Sequence, residues 1–348
     1  MRGNFESLTE FAEEVERRER AKNDLLVGPG NIRFPDDEHM EINGEGVFDV
    51  NRVAETQIAS EYGIPQRYYD RMASVPGLRA HNLNSWLDHM RETEPERRRV
   101  VRTLDRTARA YVSDRFKTQI YDNFNLMQGL LPVFQQFDDI RFASQSLTDT
   151  RMYLQVVFPS LQREVKVGDA VQFGLTITNS EVGMGSVDIS RFIWRLICLN
   201  GAVGQSLMRK YHVGRRIEGE DRSIYADETI VADMESFRLR LRDVIRHELE
   251  ETKIDMITKQ LQGAAETPVK NVVETVKNVT SRWKFSETES DQILTNMVNE
   301  GSATKWALVN SITALSHDLE SRDRQFEIEK IGNDVLVLSD ADWEEVAA

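Results

Sequence analysis

The pattern of apolar and polar positions divides the chain into two helix-rich ends and a strand-rich middle. In much of residues 1–95 and 226–348, apolar residues recur at the spacing of amphipathic helices. In residues 96–225 they alternate with polar residues or form β-branched runs, which is typical of strands. The sequence therefore predicts an N-terminal helical and short-strand segment, a central basic β-rich domain, and a helical C-terminal part that packs on the sheet.

The N-terminal part opens with an amphipathic pattern over residues 4–22, for which Ser7 or Thr9 is a suitable N-cap. Glycines and prolines then break the chain into pieces that predict short strands and turns. Asn51 can cap the next helix and Gly63 can end it.

The middle of the chain predicts strand after strand, apart from one helix over residues 117–137. Two of these strands are expected to pair around Asp105 and Arg106. Strands that are not separated by long helices indicate an antiparallel sheet and not a doubly wound one. The predicted fold class is therefore α+β, with a central antiparallel β-region over about residues 97–216, an N-terminal helical segment and a long-helix C-terminal part.

In the C-terminal part, residues 228–262 predict one unusually long helix with an apolar stripe from Ile230 to Leu261. Two interpretations of this stripe stay open: packing within the chain, or contact with another subunit. Near the end of the chain, residues 334–340 read as a short strand.

Composition restricts the class of protein. The chain has 348 residues, 40% hydrophobic and 29% charged, which is ordinary for a globular protein that buries a large core. Its one cysteine, Cys198, excludes an intrachain disulfide and a cysteine-rich zinc site, and it suits a reducing compartment. The N-terminus has no apolar core of a signal peptide, and no apolar run is long enough to span a membrane. We therefore expect a cytoplasmic protein without a membrane partner.

Charge is distributed unevenly along the chain. Residues 97–216 contain 18 lysines and arginines against 10 aspartates and glutamates, a net charge of +8, although the whole chain carries −14. A positive middle between acidic flanks is suited to holding a polyanion locally. The alternative is that these arginines pair with the acidic flanks.

A first cluster of arginines opens this basic region. Arginine side chains bind phosphates bidentately, and nearby aromatic rings suit the stacking of single-stranded bases. The candidate nucleic-acid contacts here are Arg97, Arg99, Arg102, Arg106, Arg109 and Tyr111, with Phe116 as a further stacking residue. The alternative is a solvated helix end with its aromatic rings in the core.

A second cationic cluster closes the region. Its candidate contacts are Arg191, Trp194, Arg195, Arg209, Lys210, Tyr211, Arg215 and Arg216. Arg191 and Arg195 share a face on a strand or on a helix. The alternative is pairing with the acidic residues that follow.

Motifs for catalysis, cofactors and metals are missing from the sequence. No two histidines have the spacing of a zinc helix, and the glycine-rich stretches at 28–31 and 44–46 lack the spacing of phosphate-binding loops. Cys198 reads as a buried structural thiol in an apolar strand. Residues 57–72 read as a small helical packing unit, with a DNA-reading helix-turn-helix as the alternative. We therefore expect no cofactor, no metal and no catalytic residue.

A late helix carries an unusual polar stripe. Trp306, Asn310, Thr313 and His317 recur at steps of three or four residues and share one face. We expect Asn310 and Thr313 to hydrogen-bond to the sheet, with a ligand or partner contact as the alternative.

Residues 171–201 and 300–318, together with the helical residues 57–72, resemble the phage/plasmid-like family of domain of unknown function 932. The resemblance spans about residues 25–325 and rests on the TNSEVGMGS turn, the CLNG strand end and the late helix. It implies a phage or plasmid protein in a bacterial host cell. In outline the basic β-region is also similar to phage single-strand annealing proteins, which implies a homo-oligomer.

Together these features lead to one hypothesis and one alternative. The hypothesis is a non-enzymatic protein that binds nucleic acid in phage or plasmid replication or recombination, with single-stranded DNA as the expected ligand. The alternative is an oligomeric structural or host-interaction protein that binds no nucleic acid.

Overall fold

The computed structural model describes residues 5, 7–114, 121–210 and 227–347. In these residues helices surround two β-sheets, and the prediction of an α+β fold is confirmed.

The N-terminal part follows its predicted order of a helix, short strands and helices. Its helices are α1 (Leu8–Ala21), α2 (Arg52–Glu61), α3 (Gln66–Met72) and α4 (Leu78–Thr93). Its strands are β1 (Lys22–Val27), β2 (Ile32–Arg33), β3 (His39–Ile42) and β4 (Gly46–Val50). Ser7 caps α1 by accepting a hydrogen bond from the Glu10 amide, and Asn51 caps α2 through the Ala54 amide.

The first sheet combines these strands with the hairpin of β5 (Arg99–Leu104) and β6 (Thr107–Ser113). Its order is β1-β5-β6-β4-β3-β2, and the β4–β6 pair is parallel while the others are antiparallel. β1 pairs with β5 along its whole length. The predicted boundary between the N-terminal segment and the central domain, at residues 95 and 96, therefore separates strands of one sheet. The predicted central β-region is therefore shared between two sheets.

The second sheet is an antiparallel meander in the order β11-β10-β9-β8-β7. After helix α5 (Asn123–Phe134) come β7 (Arg141–Leu147), β8 (Met152–Lys166), β9 (Asp169–Asn179), β10 (Val187–Arg195) and β11 (Asn200–Lys210). Side chains alternate between its faces, as the period of a strand requires. Leu154 and Val156 pack in a core shared with α1 and α5, whereas Tyr153 and Val157 pack on the opposite face.

The C-terminal part is helical. Its helices are α6 (Asp227–Glu248), α7 (Glu251–Glu266), α8 (Val272–Arg282), α9 (Glu287–Glu300), α10 (Lys305–Ala314), α11 (Arg322–Leu336) and α12 (Asp340–Val346). Most of their buried side chains form a core with one end of the second sheet.

The prediction of one long helix over residues 228–262 is wrong, because the chain leaves helical geometry at Glu250. The apolar stripe serves two cores. Phe237 and Leu241 of α6 pack with α1 and α5, whereas Ile254 and Leu261 of α7 pack with the C-terminal helices. The bend directs each half of the stripe into its own core, and the buried residues of both halves contact this same chain.

The predicted strand over residues 334–340 is also wrong, because α11 continues to Leu336. Ser321 caps this helix, and the spacing of the buried Ile328, Ile331 and Val335 is helical. The last turn of α11 is therefore helical, although its β-branched composition is typical of a strand.

Cys198 was expected in a buried strand, but it lies half-buried in the turn between β10 and β11. The β-structure of β10 ends at Arg195, and Leu199 adopts a left-handed conformation with φ 52° that reverses the chain. The strand prediction therefore placed the end of β10 too late.

The polar stripe of α10 contacts the sheet through the Thr313 side chain, as the sequence predicts, whereas the Asn310 side chain donates to the Trp306 carbonyl within the helix. The side chain of Asn200, at the start of β11, donates hydrogen bonds to the Thr313 hydroxyl at 2.6 Å and to the Asn310 carbonyl at 3.2 Å. The indole Nε1 of Trp306 donates to Asp169 Oδ2 at 3.0 Å. These contacts fix the late helix against the second sheet.

In the part of the chain that the structure describes, no helix has both the length and the apolar character needed to cross a membrane.

Candidate nucleic-acid interface

Arg102 on β5 lies inside the protein, where it is 1% exposed. Its Nε and Nη2 donate to the two carboxylate oxygens of Asp24, each at 2.7 Å. Its Nη1 donates to Asp122 Oδ1 at 2.6 Å and to the Glu181 carbonyl at 2.9 Å. Burial opposes the charge, but these partners raise the pKa of Arg102. Asp122 directly precedes α5, and Glu181 follows β9 of the second sheet. Arg102 on β5 therefore connects the first sheet to the second and does not face solvent.

Arg109 on β6 lies in the same interior region and is 4% exposed. Its Nη2 donates to the Asp149 carbonyl at 3.2 Å, and its Nη1 lies 4.0 Å from Glu181 Oε2. Burial lowers the pKa of Arg109. Burial, and then the charge of Asp122, raises the pKa of Glu181, whose carboxylate accepts a hydrogen bond from the Asn123 amide at 2.8 Å. The surroundings of Arg109 are thus internal and polar.

The other arginines of the first cluster are nearer to the surface. Arg97 and Arg99 both pair with the same carboxylate oxygen of Glu61, and their side chains are 33% and 18% accessible. Arg106 is exposed at the β5–β6 turn, where its Nη2 donates to the Val47 carbonyl at 2.9 Å. Among the described members of the first cluster, these three arginines are the ones that reach solvent.

The two described aromatic candidates differ in exposure. Tyr111 is 6% exposed, and its hydroxyl lies 3.2 Å from the Tyr62 hydroxyl in the core of the first sheet. Trp194 is half-buried on β10, with its ring centroid 5.6 Å from that of Phe192. Tyr111 therefore has no open ring face for a base, whereas part of Trp194 reaches the surface.

Arg195 is buried at the end of β10. Its Nε and Nη2 donate to the two oxygens of Asp169 at 2.7 and 2.9 Å, and Nη2 also donates to Glu300 Oε2 at 3.1 Å. Asp169 in turn accepts the indole hydrogen bond of Trp306. This network connects the second sheet to α9 and α10 and is structural.

Several members of both clusters pair with carboxylates outside the basic region. These pairs are Arg97 and Arg99 with Glu61, Arg102 with Asp24, Arg191 with Glu248, Arg195 with Glu300, and Lys210 with Asp233. The excess of +8 in the sequence is therefore partly compensated by the acidic flanks, as one of the two interpretations of the charge pattern expects.

Arg209 and Lys210, at the end of edge strand β11, have the most accessible side chains among the described cations of the second cluster. Arg209 Nε donates to Asp188 Oδ2 at 2.9 Å. The side chain of Arg209 is 46% accessible and that of Asp188 only 10%, so the positive group lies above its counter-charge. Lys210 Nζ donates to Asp233 Oδ2 at 2.6 Å, and Arg240 Nη2 lies 3.9 Å from the other oxygen of Asp233.

The two carboxylates of this site are held in their ionised forms. Burial acts against ionisation of Asp188, but hydrogen bonds from Ser190, Ser206 and Arg209 lower its pKa. Burial likewise opposes ionisation of Asp233, whose pKa is lowered by a hydrogen bond from Lys210. At neutral pH the charged carboxylates therefore fix the positions of Arg209 and Lys210. In the second pair the carboxylate is the outer group, since the side chain of Asp233 is 46% accessible and that of Lys210 is 24% accessible.

The remaining candidates, Tyr211, Arg215 and Arg216, lie outside the described residues, as does Phe116. Among the described candidates, the two clusters belong to different sheets, and they do not share one strand face.

Sequence reasoning missed the arginines of α6. Arg240 joins Lys210 at Asp233, and Arg238, Arg242 and Arg246 follow the same helix. The signal was the alternation of arginine and leucine in residues 238–242. The apolar stripe of the same helix dominates the sequence pattern and hides this alternation.

No group of three histidine, cysteine, aspartate or glutamate side chains within the described ranges is arranged to hold a metal ion.

Residues 108–330 match the family described as "Domain of unknown function (DUF932)", which is more than half of the chain. This chain belongs to the DUF932 family. The family region of this DUF932 protein runs from β6 into α11 and includes the whole second sheet, so it contains Arg209, Lys210 and Arg240. Comparison with curated proteins and with solved structures gave no match.

Proposed function

We propose that this DUF932 protein binds single-stranded DNA, and that it does so in phage or plasmid replication or recombination. The proposed contact surface is the open end of β11, where the successive residues Arg209 and Lys210 point to opposite faces of the strand, together with Arg240 of α6, which shares Asp233 with Lys210. Phosphate oxygens are the natural partners of such outward cations. The phage or plasmid setting rests on the sequence resemblance.

The observation that carries the proposal is the layering of charge at Arg209. The side chain of Arg209 is 46% accessible, whereas that of Asp188, which pairs with it, is 10% accessible. Arg240 also reaches solvent, with a side chain that is 55% accessible. A phosphate oxygen can accept charge-assisted hydrogen bonds from arginine side chains that reach solvent.

The preference for single strands depends on base stacking. Among the candidate aromatic residues, Tyr211 follows Lys210 directly in the sequence, and Trp194 keeps part of its ring at the surface. Stacking on such rings favours unpaired bases whatever their sequence. A protein that reads duplex grooves would show the opposite preference.

The test is fluorescence anisotropy with labelled single-stranded and duplex oligonucleotides at about 50 and 200 mM salt. We expect tighter binding to the single strand and a steep loss of affinity with salt. The variant Arg209→Gln/Lys210→Gln should lower the slope of log K against log salt by about 1.4, since each single-strand phosphate contact contributes about 0.7.

The matched control is Lys259→Gln/Lys277→Gln, which removes two exposed charges from α7 and α8. This control should bind as the wild type does. Absence of binding to either oligonucleotide at about 50 mM salt would refute the proposal.

A second candidate function, an oligomeric structural or host-interaction protein, is favoured by an apolar end of the second sheet. The β8–β9 and β10–β11 turns lie together there, because the Leu196 amide donates to the Ala170 carbonyl at 3.0 Å. Val167, Ile197 and Leu199 are 98%, 57% and 59% exposed on these turns. Exposed apolar groups on neighbouring turns are typical of protein contacts.

For this candidate we expect light scattering to give a particle larger than one chain, which the variant Val167→Ser/Ile197→Ser/Leu199→Asn reduces toward the monomer. Asparagine is chosen at residue 199 because it tolerates the left-handed backbone. Val273→Ser, at an exposed valine of α8, is the control and should leave the particle unchanged. A wild type that stays monomeric at every concentration would contradict self-association.

A further inference from the structure

Three arginines form a stripe along the solvent side of α6. Arg238, Arg242 and Arg246 are four residues apart, so their charges repeat about every 6 Å along one side of the helix. The side chains of Arg238 and Arg242 are 38% and 34% accessible, and Arg246 is exposed. The stripe belongs to the helix that carries Arg240.

The stripe borders α5. Arg246 Nη2 donates to the side-chain carbonyl of Gln136 at 2.6 Å, just beyond the end of α5. Arg238 Cγ lies 3.9 Å from the place where a Cβ on Gly129 would stand. We call the surface formed by Gly129, Gln136, Arg238, Arg242 and Arg246 the α5–α6 seam.

The α5 side of the seam brings no counter-charge. The helix Asn123–Phe134 contains no acidic or basic residue at all. The carboxylates that pair with the stripe are Glu235 with Arg238 and Asp243 with Arg242, both within α6 and both more than half accessible. Exposed pairs of this kind are weak, so a phosphate can take over these guanidinium groups. Among the described residues, Arg246 donates to the neutral amide of Gln136 and forms no ion pair.

We propose that the α5–α6 seam binds the sugar-phosphate backbone of the same nucleic-acid strand, beyond the cations Arg209, Lys210 and Arg240. This inference rests on the proposed function and deepens it. The strand runs along α6, and the seam contacts its phosphates through Arg238, Arg242 and Arg246. The binding is therefore independent of sequence over this part of the strand.

The first test removes the three charges with Arg238→Gln/Arg242→Gln/Arg246→Gln. The salt slope for a single strand should fall by about 2, because three contacts at about 0.7 each are lost. The control Lys259→Gln/Lys270→Gln/Lys277→Gln removes three exposed charges from α7, α8 and the segment between them, and it should keep the wild-type slope. The length of strand that one protein covers should also become shorter in the stripe variant only.

A second pair of variants tests the seam without removing an arginine. A side chain fits at Gly129, since Arg238 Cγ lies at an ordinary contact distance of 3.9 Å from an added Cβ. Gly129→Glu places a carboxylate among the arginines, whereas Gly129→Gln places a neutral side chain of the same shape there. We expect the Glu variant to bind the strand more weakly than the Gln variant, with a lower salt slope.

The outcomes separate this inference from the proposed function. If the wild type binds no oligonucleotide, the proposed function fails. If the wild type binds and Arg209→Gln/Lys210→Gln lowers the slope, but the stripe and Gly129→Glu variants behave as their controls do, the seam is not a contact. A loss of duplex binding alone in the stripe variant would equally overturn the assignment to a single strand.

Discussion

Replacing Arg102 with methionine should lower the free energy of unfolding by about 3–5 kcal/mol, because it removes one partner from a buried charge network. Without the guanidinium group, the carboxylates of Asp24 and Asp122 lose their shared cation in the interior. The Glu181 carbonyl loses its donor as well. Chemical denaturation of both proteins, followed by far-ultraviolet circular dichroism, measures the difference.

The matched control is Arg20→Met. The side chain of Arg20 is 76% accessible and pairs with Glu16 one turn away on α1, so its loss should cost less than about 1 kcal/mol. The experiment also decides between two roles for Arg102. A variant that is as stable as the wild type but binds single-stranded DNA more weakly would return Arg102 to the phosphate contacts that its sequence position first suggested.

Replacing Asp169 with asparagine should destabilise the protein by about 3 kcal/mol at neutral pH, because the buried Arg195 then keeps only Glu300 as a charged partner. The Trp306 indole also loses a charged acceptor. Thermal and chemical unfolding at pH 7 measure this loss.

The same variant should change the response to acid. Although burial opposes it, the hydrogen bond from Arg195 lowers the pKa of Asp169. A carboxyl whose pKa is lowered by folding contributes stability above its unfolded value of about 3.9, and this contribution disappears as the pH falls through the folded value. The difference between wild type and Asp169→Asn should therefore be constant above about pH 5 and shrink below about pH 4.

Asp291→Asn, at an exposed position of α9, serves as the control and should keep the acid response of the wild type. If the difference in the free energy of unfolding between wild type and Asp169→Asn stays the same down to about pH 2, the charge of Asp169 is not the source of its stabilising effect.

Local features of the fold were readable from the sequence because neighbouring residues determine them. Ser7 and Asn51 cap helices through amides three residues away, and Ser286 forms a capping box with Glu289. The hairpin at Asp105 reverses through a left-handed residue, as a tight turn requires.

The bend after Glu248 could not be predicted, because it depends on two cores that meet only in the folded protein. Each half of the stripe in residues 228–262 satisfies helical periodicity by itself. The assignment of the β5–β6 hairpin to a sheet with β1 likewise depends on partners distant in the chain. Periodicity gives the type of an element, and it does not give the element's neighbour.

The residue types of the candidate site could be predicted from the sequence, but the exposure of each side chain to solvent could be predicted much less well. Arg102 and Arg106 look alike in the sequence, yet one lies inside the protein and the other at its surface. The difference comes from Asp24, whose carboxylate is 78 positions away from Arg102 in the chain. Charge counts along a sequence therefore locate cations but do not show which of them retain free donors.

The pairing of β1 with β5 also sets the order in which the protein can assemble. Lys22 lies opposite Leu104 in that ladder, so the contact spans most of the first sheet's sequence. During synthesis β1 leaves the ribosome long before its partner, and the sheet can close only after residue 104 has emerged. Such a non-local contact raises the contact order of the N-terminal part and slows its folding. Until then β1 is an unpaired edge, which makes this stage the most exposed to misassembly between chains.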